Sequence, residues 1–148
     1  INEAYLVGPR VVASGPDMSI TVRHGDLNNF SPQTRVMMFP EERDFQIADS
    51  VDQVRHVVRA QEKYGVDVIK ILATGGVLSR GDSPGAAQFT FEELKAAAET
   101  AHMGGRKMRA HAHGTEGIKN AIRAGIHPTD QASPVDAGGL RRAQDHRT

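Results

Sequence analysis

The sequence predicts an α/β chain built from parallel βαβ units, and three observations carry the prediction. Apolar, strand-like runs alternate with stretches whose apolar residues recur at helical spacing. The helical stretches stop at glycines, namely Gly65, Gly104-Gly105 and Gly125. Each stop is followed within a few residues by the next strand-like run. Strands joined by helices over short turns return parallel to one another.

The first strand is expected at Pro9-Arg10-Val11-Val12-Ala13-Ser14, ended by Gly15-Pro16. A polar stretch from Asp17 to about Glu42 has no clear period and reads as a long loop, a length that often signals function. Ser50-Val51-Asp52-Gln53 has the form of a capping box, and Val51, Val54, Val58 and Gln61 continue it at helical spacing. Val66-Asp67-Val68-Ile69-Lys70-Ile71-Leu72-Ala73 is nearly continuous in apolar residues, as expected of a parallel strand covered on both faces. A second loop, Leu78 to Gln88, leads to the capping box Thr90-Phe91-Glu92-Glu93 and a stripe of Phe91, Leu94, Ala97, Ala98 and Ala101. Lys107 to Gly114 reads as a strand, and Ile118, Ala121 and Ile122 mark the helix after it. A weaker strand at Ile126 to Ala132 and a helix around Leu140 to Asp145 complete the alternation.

Composition excludes several functions. Lys plus Arg and Asp plus Glu each number 18, so the formal net charge of zero supplies no field favouring nucleic acid or an anionic membrane. Without cysteine there is no disulfide framework, thiol nucleophile or thiolate metal site, which suits a reducing, cytoplasmic setting. No apolar run approaches the roughly 18 residues of a transmembrane helix. The opening Ile1-Asn2-Glu3-Ala4-Tyr5 lacks an initiator Met and any signal-peptide pattern, and reads as the middle of a longer protein. At 148 residues the chain is also short of the roughly 250 of a complete (β/α)8 barrel.

Three features could carry chemistry. Lys70 places an ammonium in an apolar strand. It could snorkel to solvent, form a Schiff base when desolvated, or add carbon dioxide to give a carbamate that bridges two metal ions. His111 and His113, two apart in a strand, share a face with Arg109, and two imidazoles on one face suit a divalent metal as well as a structural pair. His24 lies in the long loop, where an ordinary solvated histidine is the plain alternative. Gly75-Gly76 reads as a tight turn rather than an anion cradle, because no Walker or dinucleotide pattern surrounds it. The candidates lie on strands or just beyond their C-terminal ends, where barrel enzymes keep their sites, and this favours a barrel segment over an open sheet.

At these residues the chain resembles a known group. Gly8-Pro9-Arg10-Val11, Gly65 to Ile71, Ala73-Thr74-Gly75-Gly76-Val77, Ser83 to Phe89 and Ala110-His111-Ala112-His113-Gly114 are similar, in order, to the amidohydrolase superfamily. The branch they resemble is that of Xaa-Pro dipeptidase and imidazolonepropionase. The resemblance implies that residues 1–148 are a partial domain of a (β/α)8 TIM-type barrel, about strands 3 to 6 with their helices. It further implies one or two divalent metals, usually zinc, that activate water to hydrolyse a C–N amide bond. Lys70 then matches the lysine carbamate that bridges two metals, and His111 a metal ligand. His24 and His113 match substrate-binding positions, and a dipeptide or small cyclic amide is the implied substrate.

The departures are equally specific. The family's first-strand His-x-His pair and its eighth-strand catalytic Asp have no counterpart in this sequence, so no catalytic acid–base residue is assigned. Where the sixth-strand metal histidine is expected stands Gln131, in Pro128-Thr129-Asp130-Gln131-Ala132, with His127 four positions away. Val22-Arg23 replaces the Gly-Gly that precedes the loop histidine. A different class of reading is a non-catalytic half-barrel that self-associates into a homo-oligomer or pairs with a complementary chain. A third is a Schiff-base lyase using Lys70.

Overall fold

The computed structural model describes residues 7–26, 30–38, 40, 45–76, 83, 85–127 and 129–130. In chain order its elements are α1 (Pro32–Met38), α2 (Val51–Lys63), β1 (Val68–Leu72), α3 (Phe91–Met103), β2 (Lys107–His111), α4 (Thr115–Arg123) and β3 (Thr129–Asp130). The strands form one parallel sheet in the order β1-β2-β3. Two further segments extend it through isolated parallel bridges, Ser14 to Val68, Met18 to Ile71, and Ser19 to Ile47. The helices that connect the strands lie on one face, as the alternation in the sequence requires.

The helix starts form as their residues dictate. The Thr90 hydroxyl accepts from the Glu93 backbone N–H at 3.3 Å while the Thr90 N–H donates to the Glu93 carboxylate at 2.8 Å, a complete capping box. At α2 the Ser50 hydroxyl accepts from Gln53 N–H at 3.3 Å, but the Gln53 side chain reaches one residue further back, to Asp49 N–H at 2.6 Å. Helix α4 begins differently. Its N-cap is Gly114, at φ 70°, and no side chain caps it.

Side chains alternate across the strands and sort the sheet into two faces. Ile69, Ile71, Met108 and Ala110 are buried against α2, α3 and α4, together with Val54, Val58, Leu94, Ala97, Ala101, Ile118 and Ile122. The opposite face carries Lys70 and Val68 on β1, half-buried, with Lys107 and Arg109 exposed on β2. The expectation that Val66–Ala73 is covered on both faces is therefore corrected: among the described residues, helices cover one face only. A groove of about 710 Å³ runs along the other, lined by Val12, Ser14, Asp17, Asp67, Val68, Lys70, Lys107 and Arg109.

Two other expectations change. Pro9–Ser14 is not a regular strand; ladder contacts occur at Ser14 and then at Met18 and Ser19, past the break at Gly15-Pro16. Met18 N–H donates to Lys70 O at 2.8 Å and Leu72 N–H to Met18 O at 2.9 Å, so the sheet claims residues that the sequence assigned to a loop. The same stretch also contains α1, whose Val36, Met37 and Met38 are exposed. Its local pattern lacked a helical period, and none of its described side chains is buried. Of the strand expected at Ile126–Ala132, the described residues show Thr129–Asp130. Gln131 and the helix expected at Leu140–Asp145 lie outside the described residues.

Gln61 ties these segments together. Buried on α2, it donates through Nε2 to the Pro16 carbonyl at 2.9 Å and to the Phe45 carbonyl at 2.6 Å. Replacing it with leucine keeps the bulk but strands both acceptors. Gln61→Leu is expected to cost about 1–3 kcal/mol in urea unfolding. A change below about 0.5 kcal/mol would show that water satisfies both carbonyls.

Candidate active site at the C-terminal end of the strands

The register of β1 on β2 sets Lys70 opposite Arg109 and Leu72 opposite His111. Residues two apart share a face, so Lys70 and His111 lie on the same side of the sheet, on adjacent strands. Lys70 is half-buried and lines the groove; His111, 7% exposed, sits beyond the groove toward the strand ends. The groove and the histidines therefore occupy different ends of this face. We place the site at the histidines, because the groove's other lining belongs to the N-terminal ends of the strands, away from the loops that build sites in parallel α/β folds.

Three imidazoles come together there. The rings of His111 and His113 are 4.7 Å apart in an edge contact, and those of His24 and His111 are 4.8 Å apart. All four residues singled out in the sequence thus lie on one side of the sheet, with three at one spot. Ala110 and Ala112 turn the other way and are fully buried, as the alternation requires.

His24 arrives on a short loop pinned at several points. Thr21 donates to Asp49 through its backbone N–H at 2.8 Å and its hydroxyl at 2.6 Å. Gln46 Nε2 donates to Gly25 O at 2.7 Å, the Ser19 hydroxyl donates to His24 O, and Val22 N–H donates to the Asp26 carboxylate. Val22 holds φ 68°, a left-handed conformation that a β-branched residue adopts only at a cost of about 1–2 kcal/mol. The loop keeps a glycine-like turn with a valine in it. Gly25 is glycine for a second reason: a Cβ there would lie 2.5 Å from Leu72 Cδ1.

The segment after β1 carries the part that the sequence did not reveal. Ala73 N–H donates to the His111 carbonyl at 2.9 Å, and the fully buried Thr74 accepts the His113 N–H on its hydroxyl at 2.8 Å. A Cβ on Gly76 would lie 2.5–2.8 Å from three atoms of the His24 ring. Gly76 is thus required by the close approach of an imidazole rather than by turn geometry. The only hint in the sequence was the Ala73-Thr74-Gly75-Gly76 string itself.

An implied metal can be tested against these donors. Lys70, as a carbamate, and His111 could both hold a divalent ion, and imidazole and carboxylate-like oxygens are suitable ligands. Among the described residues, however, no three His, Cys, Asp or Glu side chains gather as a metal site. The donors fit one side of a metal centre and do not complete it, since such centres use about three or four protein ligands. His127 is partly buried just ahead of β3.

Two substitutions test this geometry. Gly76→Ala is expected to expel the His24 ring, shifting its imidazole NMR signals and costing about 1–3 kcal/mol by overpacking. Unchanged His24 signals would disprove the stacking. Val22→Gly is expected to raise stability by up to about 1 kcal/mol, the strain relieved less the chain entropy of glycine. A fall in the thermal midpoint would mean that Val22 is not strained.

Comparison with known proteins follows the same outline. Residues 1–145 match the Amidohydrolase family. Ochratoxinase from Aspergillus niger is 39% identical over 145 residues, covering 92% of this chain and 30% of that protein. Its crystal structure superposes with a TM-score of 0.85 at 34% identity, over 97% of this chain and 35% of that one. A Xaa-Pro dipeptidase with bound methionine in the active site gives a TM-score of 0.86 at 34% identity, with coverage of 97% and 35%. A prolidase complexed with N-methylphosphonate-L-proline gives 0.80 at 28% identity, covering 98% of this chain and 36% of that one. The chain therefore spans about a third of these relatives, and its parallel βαβ units are a segment of their TIM barrel. The chain belongs to the amidohydrolase family.

Proposed function

We propose that this chain is the part of a C–N hydrolase that supplies Lys70 and His111 to a metal centre and His24 and His113 to the substrate. The observation that carries the reading is the convergence of the three imidazoles, at 4.7 and 4.8 Å between rings, beside the strand that bears Lys70. Family membership supports amide hydrolysis, and the named relatives are described as an ochratoxinase, a Xaa-Pro dipeptidase and a prolidase. By analogy the substrate is a prolidase-like dipeptide or a small cyclic amide.

In this reading the Lys70 Nζ would bond to the carbon of carbon dioxide with loss of a proton, and the resulting carbamate oxygens would be available to hold a divalent metal. His111 adds an imidazole from the neighbouring strand. When bound, a divalent metal such as zinc supplies Lewis acidity toward the scissile carbonyl and an activated water. His24 and His113 present N–H donors to a carbonyl or carboxylate of the substrate, and their contacts through His111 hold the rings at fixed spacing. Residues 1–148 are read as one partial barrel domain, completed by strands that bring the remaining ligands and the catalytic carboxylate. The absence of cysteine and of charge excess supports a small-molecule substrate in the cytoplasm, without nucleic acid or membrane. Among the described residues no helix is long and apolar enough to cross a membrane.

A second reading is favoured by the open inner face. With Lys107 and Arg109 exposed beside Lys70, the chain by itself is a half-barrel with one sheet face available to another chain or a second copy. Metal content by elemental mass spectrometry, after zinc loading with bicarbonate, separates the two. Near-stoichiometric zinc that disappears in Lys70→Ala and in His111→Ala supports the hydrolase reading. A defined oligomer with no zinc above background supports the half-barrel. Restoring an imidazole with Gln131→His is expected to increase zinc retention at least about tenfold, since imidazole far exceeds a carboxamide as a zinc ligand. Equal retention would mean that position 131 does not face the centre.

A further inference from the structure

We propose that Thr74 is a positioning residue for the histidine cluster, its hydroxyl fixing where the chain leaves β2 and so where the His113 imidazole stands. The proposal rests on the functional reading above only for its significance; its geometry is independent of metal and substrate.

Thr74 has no solvent exposure, and its hydroxyl is used twice: it accepts the His113 N–H at 2.8 Å and donates to Gly75 O at 3.2 Å. The backbone it holds is the turn between β2 and α4. That turn lacks a side-chain cap of its own, since its N-cap is Gly114 at φ 70°. The hydroxyl from the neighbouring strand end instead holds the residue just before that N-cap, through the His113 N–H. The γ-methyl is placed just as tightly, because a Cβ on Gly117, in the first turn of α4, would lie 2.2 Å from Thr74 Cγ2. One side chain therefore pins the turn by a hydrogen bond and the following helix by contact.

The consequence reaches the rings. His111 is held at its carbonyl by Ala73 N–H at 2.9 Å, and His113 at its amide by Thr74, so consecutive residues after β1 set both ends of the pair. Their rings meet at 4.7 Å. Releasing the His113 amide frees one ring of that pair while the other stays anchored in the ladder.

The test uses the 148-residue chain and three variants. Thr74→Val keeps the shape and removes the hydroxyl; Thr74→Ser keeps the hydroxyl and removes the methyl. Thr74→Ala serves as the second hydroxyl-free variant should the valine variant fail to fold. The readouts are hydrogen exchange of the His113 amide and the imidazole NMR signals of His111 and His113. Thermal midpoint is recorded alongside, since both changes are expected to lower it. The hydroxyl-free variants should exchange the His113 amide about three- to tenfold faster and shift the His113 ring signals, with the serine variant close to wild type. Wild-type exchange and ring signals without the hydroxyl would overturn the proposal. So would a serine variant that behaves like valine, because packing rather than the hydrogen bond would then be responsible. Neither readout needs metal or substrate, so failure of the hydrolase reading leaves this result standing, and the reverse holds too.

Discussion

In a parallel sheet, slipping one strand by a residue exchanges the faces of every side chain it carries. Here the pairing of β1 with β2 sets Ile71 against Ala110 and Leu72 against His111, and this register orders everything around it. The buried face packs Ile69, Ile71, Met108 and Ala110 under the helices. With those residues fixed inward, Lys70, Arg109 and His111 have no choice but the other face. The apolar packing of one side of the sheet thus selects the chemical side of the other.

The end of β1 extends this control beyond the ladder. Residues 73 to 76 meet each of the three histidines: Ala73 through the His111 carbonyl, Thr74 through the His113 amide, and Gly76 by leaving space for the His24 ring. Gly75 N–H donates to Ala86 O at 2.9 Å and Gln88 N–H to Ala73 O at 3.0 Å, so the segment is not a free turn. A rigid strand end that touches every member of the cluster is how a parallel fold holds side chains from distant parts of the sequence together. The cost is carried in the His24 loop, where Val22 stands in a left-handed conformation.

Much of this was legible in the sequence, and for a physical reason. The capping box at Thr90, the hydroxyl cap at Ser50, the glycine stops and the apolar runs are local signals, and local hydrogen bonds realise them, although the Gln53 half of the box expected at Ser50 closes on Asp49 instead. The alternation at Arg109-Ala110-His111-Ala112-His113 also read correctly, because period-two spacing needs no tertiary knowledge. The misreadings arose where long-range pairing decided. Met18 and Ser19 join the sheet although Gly15-Pro16 breaks the run before them, because Lys70, Leu72 and Gln46 offer the matching backbone groups. The short helix Pro32–Met38 has no buried stripe among its described side chains to announce it.

The sequence by itself determined most of the elements, their parallel order and the side chains that share the exposed face of the sheet, since each depends on local spacing. Only the tertiary structure decided that His24, from a loop some ninety residues away from His113 in the chain, joins the same cluster. It also decided that Gly76 is small for the sake of a ring, and that Thr74 holds the β2–α4 turn. Contacts of that kind are made across strands, and the local sequence around either partner contains no trace of the other.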